Sequence, residues 1–258
     1  MKNKDIRVHF VGAGPGAVDL ITVRGMELLK KADVIIYAGS LVNPEILKYA
    51  ENAEIFDSSK MTLDEVINVI SGSCMQKKDV VRLHTGEPSI YGAVREQMDE
   101  LDRLGIAYDS CPGISACFGA ASSLNLEYTL PGVSQSLIIT RMEGRTAVPE
   151  CESIERFASH KSTMAIYLST SMLDTLCERL VSGGYSEDTP AAIIYKATWP
   201  EEKKYICTVK ELPKVAQENN IKKTALIIVG DVINTTSYEK SRLYAADFST
   251  EFRKAYDK

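Results

Sequence analysis

The chain contains no C-x-x-C pair, and its three histidines (His9, His84, His160) are far apart. A protein-bound zinc or iron–sulfur site is therefore not expected. The six cysteines (Cys74, Cys111, Cys117, Cys151, Cys177, Cys207) read as small buried thiols. No apolar run approaches the ~18–20 residues that span a bilayer. No basic run stands out either, and a net charge of −5 argues against a nucleic-acid partner. No repeat of ~20–50 residues occurs, which excludes a solenoid. Met1 to Arg7 leads straight into a short strand, so no leader peptide is expected and the setting reads as cytoplasmic and reducing.

What is present suits a soluble α/β protein. With 258 residues, 45% hydrophobic and 25% charged, the chain can bury a sizeable core as one large domain or two small ones. Its organising stretch is 79–104. Asp79 to Leu83 is short, apolar and β-branched, a buried strand. Ser89 to Leu104 has helical spacing through Ile90, Val94, Met98 and Leu101, and Gly105 stands at the stop position. Thr85-Gly86-Glu87-Pro88 lies between, read as an exposed loop whose glycine lets a ligand approach the backbone and whose proline stiffens the turn. In open α/β sheets ligands bind beyond the carboxyl ends of strands, where this loop falls. Taken alone, the stretch reads equally well as an ordinary βα connection.

Strand Val8 to Val11 precedes Gly12-Ala13-Gly14-Pro15-Gly16-Ala17, which fits G-x-G-x-x-A on paper. Pro15 and Gly16 break the turn before a helix can start, and no acidic residue follows strand Val34 to Tyr37 to take a ribose hydroxyl. The loop is therefore read as binding a ligand other than NAD. The spacing predicts helices over 22–32, 44–50, 116–124, 152–159, 172–181 and 209–218. Thr62-Leu63-Asp64-Glu65 is a capping box that opens another. Further strands are expected at 54–56, 108–111, 136–140, 164–168, 191–195, 202–208 (an edge) and 225–229. Tyr108 to Cys111 feeds a second glycine loop, Pro112-Gly113-Ile114-Ser115-Ala116. Irregular chain at 125–134 marks a junction, giving two α/β domains, 1–124 and 125–258, with glycine-bearing loops converging on a cleft between them.

Four pieces in order, Val11-Gly12-Ala13-Gly14-Pro15-Gly16, Ala32 to Tyr37, His84 to Gly92 and Pro112 to Ala116, resemble the tetrapyrrole methylases, the class III S-adenosylmethionine-dependent methyltransferases. The likeness covers nearly the whole chain. Thr140 to Glu150 and Tyr195 to Glu202 resemble the precorrin-4 C-11-methyltransferases of cobalamin biosynthesis. The resemblance implies the tetrapyrrole methylase fold, S-adenosylmethionine as cofactor, methyl transfer to ring carbon 11 of precorrin-4 or its cobalt form, and a homodimer. It puts cofactor contacts on Pro15, Thr85, Gly86, Glu87, Ile90, Ser115, Ala116, Leu168 and Ala197. Relatives acting on uroporphyrinogen carry an aspartate after the strand ending in Tyr37. Here that position is Ala38, and Lys60 aligns loosely with their downstream basic residue, so no catalytic acid or base is assigned. No protein metal is implied, since any cobalt arrives inside the substrate. Other readings are a uroporphyrinogen or diphthine methyltransferase and a non-catalytic nucleotide-binding module.

A polycarboxylate substrate needs a basic patch on a chain of net charge −5. Arg141 and Arg145 on one strand-end loop and Lys196 on another are the expected carboxylate partners, because guanidinium and carboxylate pair in a plane.

Overall fold

The computed structural model describes residues 7–256; the segment read as carrying no leader begins outside them, at Met1. The chain forms two compact units. The first runs through Ser123 and also takes in Lys196–Lys203, and the second is Leu124–Tyr195 with the chain from Lys204 onward. A single division at 124/125 thus omits one feature, since the 196–203 segment packs with the first half.

The first unit is built on five parallel strands, β1 (Val8–Gly12), β2 (Val34–Tyr37), β3 (Glu54–Asp57), β4 (Val80–His84) and β5 (Tyr108–Cys111), in the order β3-β2-β4-β1-β5. Helices cover both faces, which is why the central strands β1, β2 and β4 are mostly apolar and buried rather than alternating. Val8, Phe10, Val34, Ile36 and Val80 pack with Val66, Ile67 and Ile70 of α2 (Leu63–Met75) and Leu101 of α3 (Val94–Arg103). Val11, Ile35, Val81 and Leu83 pack with Leu29 of α1 (Val23–Lys31) on the opposite face. β1 connects through α1 to β2, and β4 connects through α3 to β5. Neighbouring strands β1 and β4 therefore send their chains in opposite directions, opening a crevice at their carboxyl ends.

Local signals placed most helices. Thr22 caps α1 by accepting from Gly25 N, and the capping box of Thr62 and Glu65 is complete in both directions. One expectation fails. The helix predicted from Ser89 starts only at Val94, because Tyr91 and Ala93 take left-handed backbone (φ 56° and 49°). Glu87 accepts from Ser89 N, and Ile90 N donates to Glu87 O, so a side-chain-braced turn displaces the first helical turn.

The second unit holds β6 (Leu137–Arg141), β7 (Thr163–Tyr167), β8 (Pro190–Tyr195), β9 (Lys203–Thr208) and β10 (Ala225–Val229) in the order β6-β7-β10-β8-β9. β6 and β7 run parallel, while β10 is antiparallel to both its neighbours. Met164, Ile166, Ile193, Ile227 and Val229 face α5 (Ile154–Ala158), α6 (Leu173–Ser182) and α7 (Leu212–Glu218) through Ile154, Leu176, Leu180 and Leu212. β9 takes the expected edge place, leaving Ile206 exposed. All six cysteines are free. Cys111 and Cys117 are buried as expected, but Cys151 is exposed, because the loop that carries it sits on the surface. Among the described residues no helix is long and apolar enough to cross a membrane.

Candidate active site

Three glycines from three loops meet backbone to backbone at the carboxyl ends of β1, β4 and β5. A Cβ on Gly113 would lie 2.1 Å from Gly86 O and 2.7 Å from Gly12 Cα; one on Gly12 would lie 2.5 Å from Gly86 O. No side chain fits at either position. Gly86 N donates to Gly14 O at 2.9 Å, Gly14 N returns a bond to Gly86 O at 3.3 Å, and Ala13 N donates to His84 O at 2.8 Å. The β1 and β4 loops therefore stay hydrogen-bonded beyond the strand ends, closing in an isolated antiparallel bridge between Gly14 and Gly86. Gly86 is buried with φ +59°, which corrects the sequence reading of an exposed loop. A single 3-10 turn at Val18–Leu20 follows the loop and the next α-helix, α1, begins only at Val23, so no α-helix N-terminus abuts Gly12–Gly16 as it does in a dinucleotide site.

Glu87 ties the β4 loop to the β5 loop: one carboxylate oxygen accepts from Ser89 N at 3.0 Å and the other from Gly113 N at 2.9 Å. Burial alone would raise its pKa, yet these amide donors outweigh it and hold the carboxyl below its ordinary range. Next to this clamp, the Thr85 hydroxyl is buried with no partner among the described residues. Ser115 is buried where the β5 loop enters α4 (Ala116–Leu124), whose Ala116, Gly119 and Ala120 are small. Ile90 is half-buried in the turn. Pro15, Thr85, Gly86, Glu87, Ile90, Ser115 and Ala116 thus gather on three adjoining loops of the first unit.

Ala197 and Lys196 reach the same unit through the 196–203 segment. Ala197 is buried. Lys196 Nζ lies 3.3 Å from a Glu201 carboxylate oxygen and 4.8 Å from the centre of the Trp199 ring, so this cation is already engaged. The remaining three expected site residues belong to the second unit, on the loops after neighbouring strands β6 and β7. Leu168 is 63% exposed with left-handed backbone (φ 54°), an unusual conformation for a leucine. Ser169 Oγ accepts from Met142 N at 3.0 Å and joins the two loops. Arg141 turns inward on its own loop, donating to the carbonyls of Met142, Thr146 and Ala147 at 3.0–3.1 Å. Arg145 stands exposed at the loop's outer end.

Sequence reasoning missed the buried pair on β4. Arg82 and His84 point to the α3 face, 6% and 3% exposed. Arg82 donates to Gln97 Oε1 at 2.9 Å and to Ile36 O at 3.0 Å. The residues' positions inside an otherwise apolar strand were the available signal, since a charge there must be satisfied within the fold. Among the described residues no group of three or more His, Cys, Asp or Glu side chains is placed to hold a metal ion.

The family model described as Tetrapyrrole (Corrin/Porphyrin) Methylases matches residues 7–213. A cobalt-precorrin-4 C(11)-methyltransferase of Methanocaldococcus jannaschii is 51% identical over 253 residues, spanning 98% of each chain. The X-ray structure of a cobalamin biosynthetic enzyme, a cobalt precorrin-4 methyltransferase, matches with a TM-score of 0.86 and 41% identity, covering 88% of this chain and 96% of that one. A uroporphyrin-III C-methyltransferase from Thermus thermophilus, complexed with S-adenosylhomocysteine, shares the fold (TM-score 0.75) at 22% identity over 88% of this chain and 93% of its own.

Proposed function

Because this chain belongs to the tetrapyrrole (corrin/porphyrin) methylases, we propose that it transfers a methyl group from S-adenosylmethionine to carbon 11 of precorrin-4, with or without cobalt, in cobalamin biosynthesis. The observation that carries the reading is the meeting of Gly12, Gly86 and Gly113 beside the Thr85 hydroxyl, which has no partner among the described residues. Bare backbone and one unsatisfied polar atom at a switch-point crevice suit the close approach of a small polar ligand. Pro15, Thr85, Gly86, Ile90, Ser115, Ala116 and Ala197 of the first unit would hold the donor. Glu87 would act chiefly by bracing the loops, since both its oxygens already accept from protein amides.

When bound, the donor would supply an electrophilic methyl group on a positively charged sulfur, the ring carbon gaining the methyl as the sulfur–methyl bond breaks and S-adenosylhomocysteine leaves. The chain's own contribution is positioning, worth up to ~7–11 kcal/mol in well-oriented systems. The proton leaving the ring carbon goes to solvent or to a substrate group, and no side chain is assigned as its base. Arg145, exposed on a loop that Arg141 organises, is the cation we assign to the substrate's carboxylates. The engagement of Lys196 with Glu201 gives that residue a lesser share. A reducing cytoplasmic setting accords with six unbridged cysteines, and a homodimer rests on the family likeness, to be checked by light scattering.

The test is turnover with methyl-labelled donor against precorrin-4, cobalt-precorrin-4 and uroporphyrinogen-III, with the product's methyl position read by NMR. Label at carbon 11 of a precorrin-4 form is the expected result. Methylation of uroporphyrinogen-III alone, or binding without turnover, sinks it.

A further inference from the structure

We propose that Thr198, Trp199 and Glu202 form a clasp that fixes the Gly12–Ala17 loop for donor binding, as positioning residues acting through Pro15 and Ala17. The inference rests on the reading of that loop as part of the donor site.

The segment lies in sequence between β8 and β9, yet it packs with the first unit. Trp199 Nε1 donates to Pro15 O at 3.1 Å, and Thr198 Oγ1 accepts from Ala17 N at 3.0 Å. The indole lies so close to Gly16 that a Cβ there would sit 2.0 Å from its Cδ1. Asn43 Nδ2 donates to Gly16 O at 2.9 Å. Three successive residues of the loop thus have a backbone group held by a side chain from elsewhere in the unit. On α4, Gly119 leaves room for the same packing, since a Cβ there would lie 2.7 Å from Pro15 Cβ and 3.2 Å from Thr198 Cγ2.

The clasp is itself anchored. One Glu202 carboxylate oxygen accepts from Thr198 N at 2.6 Å and from Ser123 Oγ, near the end of α4, at 2.5 Å. Lys196 and Thr198 both have left-handed backbone (φ 47° and 68°), and such a conformation in a β-branched residue persists only where its surroundings over-determine it. A strained, multiply anchored segment spent on immobilising one glycine-rich loop fits preorganisation, because ordering the loop beforehand removes that cost from binding.

Trp199 is the chain's single tryptophan, so its emission reports this position alone. In the full chain, S-adenosylhomocysteine should shift that emission saturably, with the midpoint matching the dissociation constant from calorimetry. Thr198→Val keeps the side chain's shape and removes the acceptor for Ala17 N. It should weaken S-adenosylhomocysteine binding by about 3- to 10-fold, the range expected for one lost hydrogen bond, while the substrate KM stays put. Thr198→Ser should restore affinity. Should Thr198→Val fail to fold, Trp199→Phe, which loses only the bond to Pro15 O and part of the ring, is read by calorimetry for the same weakening. A merely structural clasp would lower the thermal midpoint and leave donor affinity unchanged. Wild-type affinity in the folded variant overturns the clasp alone, whereas absence of S-adenosylhomocysteine binding by the wild type overturns the donor reading and the clasp together.

Discussion

Arg82 Nε on β4 meets Gln97 Oε1 on the first turns of α3 at 2.9 Å, a guanidinium and an amide both buried. Burial lowers the Arg82 pKa to about 10, so it remains charged at neutral pH. Among the described residues it has no carboxylate partner, and its other bond is to Ile36 O. Gln97 in turn donates to Ala93 O at 2.9 Å, the left-handed residue where the β4 loop hands over to α3. A buried charge with neutral partners is costly, so its one side-chain acceptor matters. Gln97→Ala should destabilise the protein by about 1.5–3 kcal/mol in urea unfolding. Gln97→Glu, which supplies a carboxylate, should recover stability. An unchanged midpoint in Gln97→Ala would show that the guanidinium finds other compensation.

The glycine cluster separates two kinds of substitution. At Gly86 a Cβ would have ordinary contacts of 3.6 Å or more, so Gly86→Ala meets only the left-handed backbone, about 1–2 kcal/mol. At Gly113 the Cβ would collide with Gly86 O, and neither backbone can yield without opening the Gly14–Gly86 pairing. Gly86→Ala should fold and retain measurable S-adenosylhomocysteine binding, and Gly113→Ala should lose it. Equal affinity for the two alanine variants would refute the distinction.

His84 makes a pH prediction. Its ring packs 6.0 Å from that of Phe10, and Nε2 is buried with no partner among the described residues. Burial first, and the neighbouring Arg82 charge second, hold its pKa down to about 3. The folded state therefore keeps His84 neutral, while the unfolded chain protonates it below about pH 6.5. Its contribution is whole above about pH 6.5 and is lost as pH falls from there toward 3. The limiting slope is about 1.4 kcal/mol per pH unit. His84→Leu should flatten stability against pH between 6.5 and 5, above most carboxylate titration. Parallel curves for variant and wild type would assign the slope elsewhere.

Arg141 and Arg145 should fail differently. Arg141 holds its loop through three carbonyls, so Arg141→Ala should expose 142–147 to proteolysis and reduce substrate affinity together. Arg145 is exposed, so Arg145→Ala should leave proteolysis and donor affinity unchanged and weaken substrate binding by about 10-fold, less at high salt. Substrate binding indifferent to Arg145 would end its role as a carboxylate partner.

Much of this molecule is fixed by short-range rules. Ile35 and Val81 are apolar because both faces of a parallel sheet are covered, Thr62 and Glu65 cap each other over three residues, and the three glycine-bearing motifs announce their loops. These features need no knowledge of distant chain, and the sequence alone placed them, the family likeness with them. Tertiary structure decided the rest. Helical spacing from Ile90 to Leu101 did not show that Glu87 would be spent on Ser89 N and Gly113 N, so the helix began late. Charge at Arg141 and Lys196 predicted a carboxylate site without showing that local carbonyls and Glu201 already occupy them. Trp199 and Pro15 lie 184 residues apart, and no local propensity encodes their bond. Such partners are chosen by which backbone groups the sheet leaves unpaired at its carboxyl edge, a quantity that exists only once the chain has folded.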